Sequence, residues 1–517
     1  MISKVYSAIP QGYDGHIVEV EGDANRGLPA FNIVGMANKT ITEARERVRS
    51  ALVNSGFDFP QRKVTISLAP AELAKDGSHL DLPIALAILV LSEQLLPQNL
   101  DGRLFVGELA LDGLIRPVRG IINLVEAAKQ AGYREIYLPK ASLDEAKLIT
   151  GIKIFGVTNL LELFLHLKGQ VQLHPATCCK VVNITQTDSK PPYPCLDDIK
   201  GQSFAKRALS IAIAGHHNLL LTGPPGTGKS LLAQAASNLL PPPTPLEQIE
   251  IAKVHSLSGT LIQTCTRPFR SPHHTSSPIA IIGGGHPILP GEVSLAHHGI
   301  LFLDELPEYH RDTLEALRQP LEDGLITISR AKQRARYPAN FILIATMNPC
   351  PCGYFGDPYH PCTCSLTQIQ NYQKRISGPI YDRIDMAVSV NRLTPKELFC
   401  PLPNVVENNK TEEKSLSEHN AVKNNITEAV QRQNRRYGHT NFYNASVNST
   451  KVQQYIKLHP AAKTLLHQAT EQFDLSTRSY FKIIKVAQTI ADLSSETEVK
   501  PEHISEALSF RGEKFEH

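Results

Sequence analysis

Gly223-Pro-Pro-Gly-Thr-Gly-Lys-Ser230 decides how this chain is read. It fits the spacing G-x-x-x-x-G-K-[ST]. The apolar run Asn218-Leu-Leu-Leu-Thr222 precedes it, and Leu231–Leu240 reads as the helix that follows. Strand before and helix after is the context this motif requires, which sets it apart from a chance glycine turn. Gly223, Gly226 and Gly228 let backbone N–H groups face inward around phosphates, with Pro224, Pro225 and Thr227 completing the loop. The helix N-terminus adds partial positive charge. Lys229 is placed to reach the β- and γ-phosphates, and Ser230 to ligate Mg²⁺.

Further along stand the partners such a loop needs. Gly299-Ile-Leu-Phe-Leu303 reads as a buried strand ending in Asp304-Glu305. Asp304 suits the Mg²⁺ shell and Glu305 the polarisation of an attacking water, although an acidic pair also caps many strands. Asn340-Phe-Ile-Leu-Ile-Ala-Thr346 is another apolar strand, and Asn348 just beyond it either positions the lytic water or makes a turn before Pro349. Arg383 lies in Tyr381-Asp-Arg-Ile-Asp385. It either neutralises γ-phosphate charge across a subunit boundary or pairs within the chain with Asp382 or Asp385. Arg478 opens an amphipathic helix, Thr477–Leu493, and is equally ambiguous.

The whole chain has 517 residues, 42% apolar and 20% charged, so about three domains of ordinary globular composition are expected. Lys+Arg 53 against Asp+Glu 50 leaves a net charge of +3, so any nucleic-acid contact must come from local patches. The N-terminus lacks a signal pattern, and the longest apolar stretch, Leu82–Leu91, is too short to span a bilayer. A cytoplasmic protein without membrane contact is expected. Proline density marks 171–194 as a linker, and the Asn/Glu/Lys/Ser-rich 401–425 reads as a mobile connection. Residues 1–170 mix short strands (Val64–Leu68, Glu135–Leu138) with helices (Leu82–Leu91, Ile121–Ala131). Residues 195–400 have the α/β pattern of a parallel sheet, and 426–517 are helical.

In their order, Lys229/Ser230, Asp304/Glu305, Asn348, Arg383 and Arg478 resemble Walker A, Walker B, sensor 1, arginine finger and sensor 2 of AAA+ ATPases. More narrowly, the chain resembles the YifB/ComM family of magnesium-chelatase-like AAA+ proteins. The stretches that carry the likeness are Asp198-Ile-Lys-Gly-Gln202, Arg267-Pro-Phe-Arg-Ser-Pro-His-His-Thr275, Pro290-Gly-Glu-Val-Ser294, Asn348-Pro-Cys-Pro-Cys-Gly353 and Ser476-Thr-Arg-Ser479. The resemblance implies ATP as the nucleotide, Ile199 to Gly201 near the adenine, and a hexameric ring with sites between subunits. The roles of Arg383 and Arg478 rest on it.

Nine cysteines are present, and four of them form two Cys-X-Cys pairs, Cys350/Cys352 and Cys362/Cys364. Four thiolates satisfy tetrahedral Zn²⁺ with no open position, so a structural zinc is expected in a reducing compartment. Two strained disulfides, or an iron–sulfur centre, are the alternatives. Arg330, Lys332, Arg334 and Arg336 alternate in Ser329-Arg-Ala-Lys-Gln-Arg-Ala-Arg-Tyr-Pro338. On one strand they would form a basic stripe matched to a DNA backbone, or simply a solvated face. Arg432, Arg435 and Arg436 form a weaker basic group read as solvent-facing. The pairs His273-His274 and His297-His298, with His286, read as a polar loop, with a catalytic metal site the less favoured alternative.

Residues 1 to about 168 resemble the Lon-protease-like domain (ribosomal S5 domain 2-like fold), on Lys75-Asp-Gly77, Gly107-Glu-Leu through Gly132, and Leu138-Pro-Lys140. The positions of that peptidase's Ser–Lys dyad hold His79 and Ile122, and an alkyl chain takes no proton from a serine. The leading expectation is a hexameric ATP-driven DNA motor that remodels recombination intermediates, as in branch migration during transformation, working beside recombination proteins. A protein-remodelling or magnesium-chelatase-type motor subunit, and a non-proteolytic Lon-like scaffold, are the alternatives.

Overall fold

A computed structural model describes residues 2–35, 39–73, 75, 77–177, 193–260, 266–330, 333–394, 417–439 and 442–511. Most of 171–194 and 401–416, Lys332, and Cys178, Cys179, Cys265 and Cys400 lie outside them.

The first region is built on a seven-stranded mixed sheet. From edge to edge it runs Ala30–Val34, Lys63–Ala69, Asp14–Asn25, Ile2–Gln11, Arg103–Phe105, Glu135–Pro139 and Lys153–Val157. The helix Asp81–Leu91, buried along its whole length, packs on the hairpin of Ile2–Gln11 and Asp14–Asn25. That burial explains why the most apolar run in the sequence has no polar face.

The second sheet has five parallel strands in the order Phe269–Arg270, Ile300–Leu303, Ile342–Met347, Leu219–Thr222 and Met386–Ser389. Three of them are the apolar runs expected from the sequence. Ile300–Leu303 and Ile342–Met347 are buried throughout, as helix-covered parallel strands require. Asn218 pins together the starts of the strands Leu219–Thr222, Ile342–Met347 and Met386–Ser389. Its Oδ1 accepts from Leu343 N at 2.9 Å, its Nδ2 donates to Arg383 O at 3.0 Å, and its own N–H donates to Asp385 Oδ2 at 2.9 Å.

The C-terminal region is helical, and its apolar side is continuous with the core of the second sheet. Thr477–Leu493 forms as expected and buries Ile483, Ile484, Ala487, Ile490 and Ala491. The helix before it is a correction. It spans Glu418–Tyr437, beginning inside the stretch expected to be a connection, with Ser417 capping Asn420 N. Its apolar signal is sparse: Ile426, Ala429, Gln433 and Tyr437 carry the buried face. Arg436 is a correction too. It is turned inward onto the fully buried Asp492, which also accepts from Asn444 Nδ2 at 2.9 Å.

The first region docks on the helix Pro245–Ser258. Lys253 Nζ lies 2.6 Å from Glu126 and 3.9 Å from the ring centre of Tyr13. Ser256 donates to Glu145 at 2.9 Å, and Gly120 N donates to Ser256 O at 2.9 Å. Leu257, Ile288, Ala335 and Tyr337 form a small apolar core there, with Tyr13 against it. Among the described residues no helix is long and apolar enough to cross a membrane.

Removing one partner of a buried ion pair leaves the other charge uncompensated. Arg436→Leu is therefore expected to destabilise the helical region by about 3–5 kcal/mol. Urea titration of the full chain checks this, and an unchanged midpoint would show that the pair contributes nothing.

Candidate functional site

The site is made by three neighbouring strand ends. Leu219–Thr222 pairs in parallel with Ile342–Met347, placing Leu221 beside Thr346 and Thr222 beside Met347. Ile300–Leu303 pairs on the other side, placing Leu303 beside Ala345. Residues just beyond these ends therefore converge: the phosphate loop, Asp304-Glu305 and Asn348. The loop is seated by Gly223, whose N–H donates to Met347 O at 3.2 Å. A Cβ there would lie 2.2 Å from Val390 O, so only glycine fits. Gly226 and Gly228 sit at φ +78° and +86° with open space where a Cβ would stand, which leaves the cradle clear for phosphate oxygens.

Lys229 is folded into the cradle. Its Nζ donates to Gly223 O at 2.6 Å, Pro224 O at 2.8 Å and Asn348 Oδ1 at 3.2 Å. Burial pushes its pKa down to about 8, against the pull of Asp304 and Glu305. Ser230 Oγ donates to Asp304 Oδ2 at 3.2 Å, so two hard oxygen donors stand together where Mg²⁺ would be held. The ion would supply charge neutralisation at the phosphates.

Thr346 is a further member of this site, and no motif announces it. Its hydroxyl donates to Asp304 Oδ1 and accepts the Glu305 N–H at 3.0 Å. Glu305 itself takes a left-handed backbone at φ +52°. The one signal in the sequence is a polar residue in an otherwise apolar strand, two places before Asn348.

Arg383 and Arg478 are brought together away from the cradle. Both hold Glu322: Arg383 Nη2 donates to Oε2 at 2.5 Å and Arg478 Nη2 to Oε1 at 3.1 Å. These two contacts, Arg383's first, keep the Glu322 pKa below its usual range. The intrachain partner of Arg383 is thus Glu322, in place of Asp382 or Asp385. Ile199 is buried, and Gly201 packs against Leu393, whose Cδ2 would lie 2.6 Å from a Cβ at Gly201.

The four cysteines converge, with all four Sγ atoms within 4.8 Å of one another. Cys350, Cys352 and Cys362 have Sγ separations of 3.3, 3.5 and 3.7 Å and are free thiols rather than disulfides. Four sulfurs about 2.3 Å from a common ion stand roughly 3.8 Å apart, so the donor set fits tetrahedral zinc. N–H groups of Tyr354 and Thr363 aimed at Cys352 bring its pKa down to about 5.

The basic stripe is corrected in shape. The strands Leu325–Arg330 and Gln333–Pro338 form an antiparallel hairpin, so Arg330 lies on a different strand from Arg334 and Arg336. Arg334 and Arg336 are exposed on one face and pair with no carboxylate among the described residues. Ala335 and Tyr337, on the other face, are buried against the first region.

His297 and His298 are not a polar loop but buried groups sharing Glu250. His298 Nε2 lies 2.5 Å, and His297 Nε2 3.5 Å, from Glu250 Oε2. The trio has metal-like spacing. Asn340 N, however, donates to His297 Nδ1 at 3.1 Å, so the Nε2 facing Glu250 carries the proton and offers no lone pair. His273 and His286 are exposed. In the first region Ser78 donates to Glu108, Lys75 is bound by Pro70 O and Leu73 O, and Ile122 is buried. Neither Ser78 nor the dyad positions therefore form a serine–lysine pair.

Comparison with known proteins gives concordant matches. The magnesium chelatase subunit ChlI family matches residues 195–398, a second ChlI family matches 20–142, and the ChlI C-terminal family matches 417–511. The chain is 41% identical to the competence protein ComM of Haemophilus influenzae over 510 residues, 98% of this chain and 97% of that one. It is 40% identical to YifB of Escherichia coli over 514 residues, 99% of this chain and 97% of that one. The magnesium-chelatase 67 kDa subunit of Chlorobaculum parvum is 23% identical over 156 residues, 29% of this chain and 23% of that one.

Two outcomes follow from the cradle. Triphosphate binding should hold the Lys229 proton that the nucleotide-free protein loses above a pH of about 8. Proton uptake on binding is thus expected near pH ~9 and absent near pH ~7, as read by calorimetry in buffers of different ionisation enthalpy. Thr346→Val keeps the shape but frees Asp304 and the Glu305 N–H. Single-turnover ATP hydrolysis should fall about 10–100-fold with nucleotide affinity little changed, and wild-type turnover would remove Thr346 from the machinery.

Proposed function

We propose that this chain, which belongs to the YifB/ComM family of magnesium-chelatase-like AAA+ proteins, is a ring-forming ATPase that moves DNA and remodels recombination intermediates. ATP hydrolysis is what its family suggests, and the site has the parts for it. Lys229 donates to Asn348, Ser230 donates to Asp304, and the Glu305 N–H donates to Thr346; in this reading the first pair serves the phosphates, the second the Mg²⁺ and the Glu305 carboxylate the attacking water. In the isolated protomer Glu322 occupies both Arg383 and Arg478. In a ring, hexameric in this reading, a neighbour's triphosphate competes for these guanidinium groups.

The observation that carries the DNA reading is the hairpin. It presents Arg334 and Arg336 on an exposed face without a carboxylate partner among the described residues, as contact with a phosphate backbone requires. The likeness to a protein named for competence supports a role in transformation. The cysteine knuckle is read as holding one structural Zn²⁺ beside Asn348. The partial likeness to a magnesium-chelatase subunit supports a second reading, a motor that acts on a protein partner and is indifferent to DNA.

The deciding experiment measures ATPase and strand exchange on forked and four-way DNA for the wild type, Glu305→Gln and the double variant Arg334→Ala/Arg336→Ala. DNA should stimulate turnover in the wild type. Glu305→Gln should bind ATP without turning it over. The hairpin variant should keep basal ATPase and lose the stimulation. An assembled ring that neither binds DNA nor responds to it sinks the DNA reading and leaves the partner-driven one.

A further inference from the structure

We infer that the cysteine knuckle sets the affinity of the nucleotide pocket, so that metal at Cys350, Cys352, Cys362 and Cys364 and ATP at the phosphate loop strengthen each other. The inference rests on the reading of the knuckle as a metal site. It goes beyond that reading by assigning the metal a regulated property.

The knuckle touches the pocket from two sides. On the phosphate side, Gly353 stands in a left-handed turn at φ +86° directly against the loop. A Cβ there would lie 2.7 Å from Pro225 Cδ and 3.9 Å from Asn348 Cγ. Asn348 in turn holds Lys229. Gly353 follows Cys352, so the metal ligand and the loop contact are adjacent in the chain.

On the other side the knuckle is clasped by Arg392. Arg392 Nε forms an ion pair with the fully buried Asp357 Oδ2 at 3.1 Å, and Nη1 lies 3.1 Å from His360 Nδ1. Its guanidinium sits 5.6 Å from the ring centre of Tyr354, which itself stacks on His360 at 5.1 Å. Asp357 and His360 lie between the two Cys-X-Cys pairs, so the metal's chelate ring contains them. The residues around Arg392 belong to the pocket. Val390 N donates to Thr222 O at 2.7 Å, Asn391 O accepts from Gln202 Nε2 at 2.7 Å, and Leu393 packs on Gly201. One loop therefore ties the phosphate cradle to the strap that carries Ile199 and Gly201.

Between Cys350 and Cys364 there is no helix or strand to hold this loop. Apart from the Arg392 clasp, its order depends on whatever joins the four sulfurs. With the ion in place, Gly353 and Asp357 are fixed relative to each other, and the pocket is held before the nucleotide arrives. Without it, binding must also order the loop, which weakens affinity. Linkage makes the effect reciprocal, so ATP must tighten the ion by the same factor.

The test uses the reduced full-length chain, zinc-loaded or stripped with a chelator, with metal content measured by atomic emission. A fluorescent ATP analogue is titrated at equilibrium, without turnover. The stripped protein should bind it about 5–150-fold more weakly than the loaded one. Chelator competition should show zinc held more tightly by the same factor when ATP is present. Arg392→Ala should keep one zinc per chain while the loaded-to-stripped ratio shrinks toward one. Equal affinities in loaded and stripped protein, or an undiminished ratio in Arg392→Ala, overturn the coupling while the metal site stands. A purified chain with no zinc and four reactive thiols overturns the metal reading itself.

Discussion

Parallel pairing of three short apolar strands is the constraint on which the rest of the structure depends. Hydrogen bonds between Leu219–Thr222, Ile300–Leu303 and Ile342–Met347 fix which residues leave the sheet side by side. A one-residue shift would exchange the two packed faces of each strand and part the residues that leave the sheet side by side. Thr346 then completes the arrangement from within the sheet, joining the Asp304 carboxylate to the Glu305 backbone. Ser230, Asp304 and the Glu305 backbone are thus held by one another, whereas Lys229 is engaged by the loop carbonyls and Arg383 and Arg478 by Glu322.

At the opposite end of the same strands, polar side chains have a different role. Asn218 links three strand beginnings, and Arg267 forms a buried pair with Glu247 beside the neighbouring, mutually tilted rings of His297 and His298. Each donor there has a protein acceptor, so the groups lock the sheet and have no spare valence for a ligand. The cysteines differ in this respect. Their sulfurs face one another and accept N–H groups of Phe355 and Cys364. Two clusters of potential ligands thus differ: one is saturated by its surroundings, and the other leaves its sulfurs facing one another.

The elements legible in the sequence are those with a local signature. The phosphate loop, the apolar strands on either side and the helix Thr477–Leu493 each declare themselves through glycine spacing or apolar period. The convergence of Asp304 and Asn348 on Lys229 is legible by order along the chain. Glu322, Thr346 and Arg392 are not, because each matters through a partner far away in sequence, which only packing selects. The start of the helix Glu418–Tyr437 is hidden because few of its residues are apolar and its buried stripe includes Gln433 and His419. The run 330–336 reads as one strand because alternation continues through the turn, although the chain doubles back with Arg330 opposite Gln333.

The hairpin bearing Arg334 has a second face, and it is gripped by the first region. Ala335 abuts Gly12, Tyr337 lies in the small core with Leu257, and Tyr13 is stacked by Lys253. A tug on the exposed arginines is consequently shared with the seven-stranded sheet, which acts as ballast. The hairpin and the amino-terminal sheet are therefore one packed unit, and neither moves without breaking these contacts.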